Sequence, residues 1–222
     1  MVNNNDLRIA TYNVNGAKHK LASTLAQARL GGVHILYAQE LHHYTDGWHL
    51  RVRNLARSLG WDWFQSPATR GDPGSGVAVA IRRDRSDIVV ESWSVVIPGR
   101  MVVVKAKIGH ETISFSSVCL NAQPNKRKED IKMLHETSEI PSHTILAGDF
   151  HCVESIRRDT RSIAGATPYA NLGGRALTRA LASHGLTDIQ LLVNPGLKDQ
   201  YTRCGHQTHT RIDRVYAAEY YS

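Results

Sequence analysis

Short runs of alternating or continuous apolar residues are separated by stretches in which apolar residues recur one helical turn apart. An alternating run at 7–11 and an apolar run at 33–38 predict strands, because side chains along a strand alternate between two faces. Between them, the apolar residues of 18–30 share one face, which predicts a helix that ends before Gly31. A second amphipathic helix is predicted over 47–58.

The middle of the chain is rich in predicted strands, which are separated by short turns containing glycine, proline or aspartate. These strands cover 61–65, 76–82, 87–95, 101–108 and 112–120. After them come a helix, a strand, a second helix and a last strand, over 128–138, 143–147, 173–184 and 211–217. Consecutive short strands joined by tight turns favour antiparallel pairing. The pattern predicts an α+β fold with two stacked, mostly antiparallel mixed sheets and the helices outside them.

Composition bounds the size and the cellular setting of the protein. A chain of 222 residues is long enough to bury a substantial core, and a single domain over 1–222 is expected. No run approaches the ~20 apolar residues of a membrane span, so no membrane partner is expected, and the polar segment 1–6 is unlike a secretory signal. Three cysteines do not make a disulfide framework, which favours a reducing compartment, the nucleus or the cytoplasm.

The net charge indicates a polyanionic partner. Lys and Arg number 27 against 20 Asp and Glu, which gives +7 and a pI near 9.5. Such a balance is typical of nucleic-acid-binding proteins, although many soluble domains are as basic without a ligand. Basic clusters follow predicted strand ends at 82–85, 126–128 and 157–158, and each is also compatible with a solvated surface.

Side chains that can bind a metal stand at the ends of several predicted strands. Asp149 follows the run 143–147, Asn13 and Glu40 follow two earlier strands, and Asp213 lies inside the last one. Carboxylates that are far apart in sequence and gather at strand ends are typical of a divalent-metal site. A charged carboxylate after an apolar run, such as that of Glu40, needs a compensating cation. Oxygen ligands alone select a hard cation over zinc.

Five short motifs, in order, resemble those of the endonuclease/exonuclease/phosphatase superfamily: TYNVNG, LYAQE, GSGVAVAIRR, LAGDFH and TRIDRVY. Within it, the chain is most similar to the apurinic/apyrimidinic-like endonuclease domain of non-LTR retrotransposons. The resemblance spans about 7–217. It implies a four-layer αββα sandwich, a bound Mg²⁺ (or Mn²⁺), DNA as substrate and a reverse transcriptase domain in the same polyprotein.

The resemblance also implies roles for individual residues. Glu40 would be the principal metal ligand, with Asn13 and Asp213 as further candidates. Asp149 matches the acid that orients or deprotonates the attacking water, and Asp213 matches the acid that orients a catalytic histidine. His151 stands where the family pattern has an asparagine that contacts the scissile phosphate, which is a departure.

A second departure is Asn121, near the position where a tyrosine or histidine is expected. The catalytic histidine of the family lies in a final S-D-H strand, which this chain lacks because it stops at Ser222. We therefore expect either a truncated domain or a degraded relative, which binds Mg²⁺ and DNA but cleaves DNA slowly or not at all. The predicted catalytic set is Asn13, Asn121, Asp149, His151 and Asp213. Two alternatives stay open: a nucleic-acid-binding module without catalysis, and a phosphomonoesterase of the same superfamily.

Basic and polar residues near the predicted strand ends are the candidate nucleic-acid contacts: Asn15, Arg70, Arg82, Lys126, Arg127, Arg157 and Arg211. Most of the twelve histidines, among them His42 and His110, are expected in surface loops. The spacing of Cys204, His206 and His209 resembles half of a zinc site, but no second pair accompanies it, and a loop is expected there.

Overall fold

The computed structural model describes residues 6–42, 45–72, 74–162, 173–194, 200–204 and 208–218. Its helices are α1 (Ala17–Leu30), α2 (Asp46–Ser58), α3 (Pro124–Glu136), α4 (Ile156–Asp159), α5 (Gly174–Ser183) and α6 (Ile189–Val193). Its strands are β1 (Ile9–Asn13), β2 (Ile35–Gln39), β3 (Trp61–Ser66), β4 (Val77–Arg82), β5 (Ile88–Ile97), β6 (Met101–Ile108), β7 (Glu111–Cys119), β8 (Thr144–Asp149), β9 (Thr160–Ser162), β10 (Thr187–Asp188), β11 (Arg203–Cys204), β12 (Thr208–Thr210) and β13 (Asp213–Ala217). None of the helices in these ranges is long and apolar enough to cross a membrane.

The strands form two large sheets and one small one. The first sheet has the order β1-β2-β4-β3, in which β1 and β2 are parallel and the other pairs antiparallel. The second has the order β10-β13-β8-β7-β6-β5, in which β7 and β8 are parallel. A three-stranded sheet has the order β11-β12-β9. Both large sheets are therefore mixed and mostly antiparallel, as the turn chemistry predicts.

Three apolar cores divide the molecule into four layers. One core fills the space between the large sheets and includes Tyr37 and Phe115. The second packs α1 and α2 on the outer face of the first sheet, around the fully buried Trp61. The third packs α3 and α5 on the outer face of the second sheet, with Leu134 and Leu181 in contact with its strands. The predicted α+β sandwich, with helices outside two stacked sheets, is confirmed.

The ends of four strands meet at one edge of this sandwich. β1 and β2 end at Asn13 and Gln39, and Glu40 follows directly. In the second sheet, Cys119 at the end of β7 stands in register with Asp149 at the end of β8. Parallel strands bring their carboxyl ends to the same edge, so both sheets deliver polar residues to one place.

Candidate active site

Asn13 connects the two sheets at this edge. Its side-chain amide Nδ2 donates to Glu40 Oε1 at 2.8 Å and to Asp149 Oδ2 at 3.0 Å. Asp149 also accepts at Oδ1 from the backbone N–H of His151, at 2.9 Å. Both oxygens of Asp149 therefore have hydrogen-bond partners, which fix the orientation of this carboxylate. The fold brings Asn13 and Asp149 together from 136 positions apart in the sequence.

Two imidazoles flank the carboxylates. His42 Nε2 lies 3.2 Å from Glu40 Oε2, and His151 Nε2 lies 3.6 Å from Glu40 Oε1 and 3.4 Å from Asp149 Oδ2. Glu40, His42, His151 and Asn15 all have positive φ values, between 46° and 62°. This left-handed conformation is costly for residues other than glycine and often marks a functional site. His42 lies in a loop after β2, as predicted, and its partly exposed ring also contacts Glu40.

These contacts change the ionisation of the site. Burial alone would raise the pKa of Glu40, but hydrogen bonds from His151 and Asn13 outweigh it and lower that pKa to about 2. Burial and the adjacent charge of Asp149 raise the pKa of Asp213 above its ordinary value. Burial also raises the pKa of the Cys119 thiol.

The site has the features that a divalent cation requires. Glu40, Asp149 and Asp213 lie around one cleft, and among the described residues no lysine or arginine forms an ion pair with any of the three. Within the residues that the structure describes, the Oδ1 atom of Asp213 is buried and has no hydrogen-bond partner. Unpaired buried carboxylate oxygens are costly unless a cation compensates them. The residues present therefore fit a bound metal ion.

The cleft has a volume of about 430 Å³ and an irregular polar lining: Asn13, Asn15, Glu40, Ala122, Asp149, His151, Thr202, Arg203, Ile212 and Asp213. It continues into a second cavity of about 600 Å³, with which it shares Asn13, Thr202 and Asp213. The second cavity follows the outer edge of β1, where Tyr12 is 49% exposed. Together they form a groove that is open to a ligand larger than a single phosphate group.

Asn121 does not lie in this cleft, which corrects its prediction as a catalytic residue. Its side-chain amide donates to Asp72 Oδ2 at 3.3 Å, and its Oδ1 accepts from the backbone of Gln123 at 2.9 Å. Asp72 in turn pairs with the buried Arg100. The residue of this turn that lines the cleft is Ala122, which has no polar side chain.

Three of the arginines predicted to contact nucleic acid are placed elsewhere. Arg127 is 4% exposed and donates to the backbone carbonyls of Asn121 and Ala122, so it fixes the turn before α3. Arg211 is also 4% exposed and pairs with Asp159 and Asp188. Arg82 ends β4, which runs antiparallel to β2, so it lies at the edge of the sheet opposite Glu40. These three positions are corrections, because burial or distance keeps them from the cleft.

The other candidate contacts are on the side of the cleft. Asn15 lines it, and Arg70, Lys126 and Arg157 are exposed in segments that follow β3, β7 and β8. Sequence reasoning missed Arg203, which is exposed and lines the cleft, and Cys119, which lies beneath it. Neither residue stands in a recognisable motif, and the position of Cys119 follows from the pairing of β7 with β8.

Comparison with known proteins shows the fold. No family model and no curated protein sequence matches the chain. Among solved structures, the endonuclease domain of the telomere-specific non-LTR retrotransposon TRAS1 is 21% identical, with a TM-score of 0.65, over 96% of this chain and 85% of that one. An AP endonuclease from Leishmania major is 14% identical, with a TM-score of 0.73, over 96% and 79% of the chains. A 3′ phosphatase from Neisseria, solved with a product DNA hairpin, is 19% identical, with a TM-score of 0.71, over 97% and 88%.

These likenesses cover nearly the whole chain at low identity. The chain therefore has the DNase I-like endonuclease/exonuclease/phosphatase fold, as the five sequence motifs predict. The neighbours are nucleases and phosphatases, and identity of this level transfers a fold and not a substrate.

Proposed function

We propose that the protein is a divalent-metal-dependent phosphodiester hydrolase that nicks DNA, an endonuclease of the retrotransposon type. The observation that carries this proposal is the convergence of Glu40, Asp149 and Asp213 with Asn13 in one cleft, without a lysine or arginine paired to the carboxylates in the described part of the chain. Such a cleft is suited to hold a cation and a phosphate together.

Asp149 is the group best placed to handle the attacking water. Asn13 and the backbone of His151 hold its two oxygens in place, so a water at this carboxylate would be aimed rather than free. The water oxygen would attack phosphorus while its proton passes to Asp149, and the bond from phosphorus to the 3′ oxygen would break, with the 3′ alkoxide taking up a proton from solvent.

His151 can stabilise the charge that develops on the phosphate. The imidazole of His151 is 13% exposed in the side chain and faces the cleft, where a ring N–H can donate to a phosphate oxygen. Glu40, with Asp213 and Asn13, would hold the metal, and when bound the ion supplies Lewis-acid stabilisation of the phosphate and the leaving oxygen. Mg²⁺ or Mn²⁺ suits the carboxylate part of this set.

The surface around the cleft supports DNA as the substrate. Arg70, Lys126, Arg157 and Arg203 are exposed on the cleft side, and the chain carries a net charge of +7. The sequence motifs favour the retrotransposon type over the other members of this fold, and on that view a reverse transcriptase belongs to the same polyprotein.

Nicking of supercoiled plasmid in Mg²⁺ and in Mn²⁺ tests the proposal. Wild-type chain should convert supercoiled to open-circular DNA, and EDTA should stop the reaction. Asp149→Asn and Glu40→Gln should each slow it by about 10²–10⁴-fold. Asp84→Asn, an exposed acid at the opposite edge, is the matched control and should leave the rate unchanged. Nicking that survives both site substitutions would refute the proposal.

A second candidate is a nucleic-acid-binding module that has lost catalysis. It is favoured by the placement of Asn121 outside the cleft and by Ala122 inside it, which together remove a polar group from the phosphate site. In that case the chain should bind a DNA duplex but hydrolyse neither plasmid nor a 3′-phosphate end in Mg²⁺ or in Mn²⁺. Release of phosphate without nicking would instead indicate a phosphomonoesterase.

A further inference from the structure

Glu40, Cys119 and His151 bring three different kinds of metal-binding atom together. A carboxylate oxygen, a thiol sulfur and an imidazole nitrogen from these residues all lie within 4.8 Å of one another. A set of this kind is unlike the all-oxygen environment that Mg²⁺ prefers, because sulfur and nitrogen ligands favour borderline transition metals.

The spacing in the cluster matches that of ligands on one ion. Ligand atoms 2.0–2.3 Å from a tetrahedral metal lie roughly 3.3–3.6 Å from each other. Glu40 Oε1 and His151 Nε2 are 3.6 Å apart, and Asp149 Oδ2 and His151 Nε2 are 3.4 Å apart. The carboxylates and the imidazole therefore stand at ligand separation, and the Cys119 sulfur lies within 4.8 Å of the Glu40 and His151 ligand atoms.

The three residues reach the cluster from three different strand ends. Glu40 follows β2, Cys119 ends β7, and His151 follows β8, on which Asp149 is the register partner of Cys119. Glu40 and His151 both adopt left-handed backbone conformations, with φ of 53° and 48°. This conformation is costly for residues other than glycine and is typical of a site under functional constraint.

A fully buried cysteine usually packs as a small apolar residue, and Cys119 contributes to the core between the sheets. Its surroundings are nevertheless polar. The sulfur lies 4.0 Å from the guanidinium of the buried Arg100 and 3.7 Å from the carbonyl oxygen of Gly74. Burial and the charge of Asp149 raise the pKa of this thiol although the Arg100 guanidinium lowers it, so a metal ion must displace the thiol proton in order to bind the sulfur.

We infer that the cleft binds a borderline divalent metal of the Zn²⁺ and Co²⁺ class through Glu40, Cys119 and His151, with Asp149 beside them. Binding replaces the thiol proton of Cys119, which is released to solvent. The inference rests on the proposed function only in placing a metal in this cleft. It assigns to that ion a sulfur and a nitrogen ligand.

Cobalt substitution reports a sulfur ligand without any measurement of activity. Titration of the metal-free full chain with Co²⁺ should produce a thiolate-to-cobalt charge-transfer absorption, and Zn²⁺ but not excess Mg²⁺ should abolish it. Cys119→Ser should remove this absorption. His151→Asn should weaken Co²⁺ binding at least about tenfold, the loss that even an outer-shell partner causes. Cys204→Ser, at an exposed thiol, is the matched control and should retain the absorption.

X-ray absorption on the Zn²⁺-loaded wild-type chain gives a second readout that needs no variant. A sulfur neighbour at about 2.3 Å supports the inference, and a shell of nitrogen and oxygen alone overturns it. Loss of the cobalt absorption in Cys204→Ser rather than Cys119→Ser also overturns it. Mg²⁺-dependent nicking without a sulfur ligand would support the nuclease proposal and overturn the metal site proposed here. A sulfur ligand without DNA cleavage would support this metal site and refute the nuclease proposal.

Discussion

At the scale of single residues, Asp213 is an unfavourable charge in the metal-free fold. Burial and the charge of Asp149 raise its pKa above the ordinary value of 3.8. The folded chain therefore holds a proton that the unfolded chain has lost, and stability falls as the pH rises through this window. In EDTA, Asp213→Asn should be more stable than wild type at neutral pH by on the order of 1 kcal/mol, with the difference vanishing below pH ~4. Urea unfolding across pH measures it.

The control for this prediction is Asp62→Asn, an exposed acid whose ion pair with Arg83 is 3.5 Å long. It should change stability by no more than about 0.5 kcal/mol, because surface pairs contribute little. Parallel pH profiles for wild type and Asp213→Asn would contradict the prediction. The same carboxylate lines the cleft. If its removal stabilises the fold, the wild-type protein gives up that stability in order to keep the carboxylate in its site.

The residues of the cleft could be found from the sequence where an apolar run ends in an acid or an amide, as at Asn13, Glu40 and Asp149. Charge runs were the poorer guide. Arg127 stands four residues before Ile131 and seven before Leu134, so helical spacing places all three on the buried face of α3. The position of Cys119 beneath the cleft depends on the pairing of β7 with β8, a long-range register that no local pattern specifies.

At the scale of elements, Gly148 lets β7 and β8 pair. Its φ is 154°, and a Cβ atom there would lie 1.8 Å from the carbonyl oxygen of Val118, its register partner. Gly148→Ala should destabilise the fold by at least about 3 kcal/mol, because neither backbone can move without breaking the ladder. Thermal unfolding measures the loss.

Gly47 in α2 is the matched control, because a Cβ there meets nothing within 4 Å. Gly47→Ala should raise stability by up to about 1 kcal/mol, since alanine favours a helix. Equal stability of Gly148→Ala and wild type would contradict the close approach of the two strands and with it the register that aligns Cys119 and Asp149.

A buried ionic network joins α4, β10 and β13 behind the cleft. Arg211 lies 3.1 Å from Asp159 and 2.7 Å from Asp188, and Arg214 lies 3.7 Å from Asp159. Burial alone would raise the pKa of Asp159, but hydrogen bonds from Arg158 and Ser155 and the charges of Arg211 and Arg214 lower it. The stabilisation is present above pH ~4 and lost as the pH falls through the lowered pKa.

Asp159→Asn should destabilise the chain by up to about 3 kcal/mol at neutral pH, because it removes one of the two carboxylates that compensate the buried guanidinium groups and leaves only Asp188. The difference from wild type should shrink in acid, as wild type also loses the charge. Chemical unfolding of both proteins across pH tests this. Asp84→Asn, which removes an exposed partner of Arg82, is the control and should cost no more than about 1 kcal/mol. A neutral effect of Asp159→Asn would show that the network contributes nothing to stability.

At the scale of the whole molecule, the two edges of the sandwich differ in chemistry. The cleft edge carries the carboxylates together with exposed Arg70, Lys126, Arg157 and Arg203. At the opposite edge, arginines are paired with acids, as Arg82 is with Asp84 and Arg85 with Asp87. The paired arginines at the opposite edge are therefore less available to a polyanion than exposed basic residues beside the cleft, a distinction that composition alone could not reveal.

This asymmetry predicts how duplex binding depends on salt. The logarithm of the binding constant should fall linearly with the logarithm of salt concentration, by about 0.9 for each phosphate contacted. Alanine at Lys126, Arg157 or Arg203 should reduce that slope by about one such step, without changing the preferred sequence. Arg83→Ala, exposed at the opposite edge, should leave it unchanged. Fluorescence anisotropy on a short duplex measures both slopes. If the variants at both edges reduced the salt slope equally, the protein would attract DNA only through its net charge. If binding did not depend on salt, a small phosphate ester would be favoured over DNA as the substrate, because one phosphate releases too few counterions to produce a steep slope.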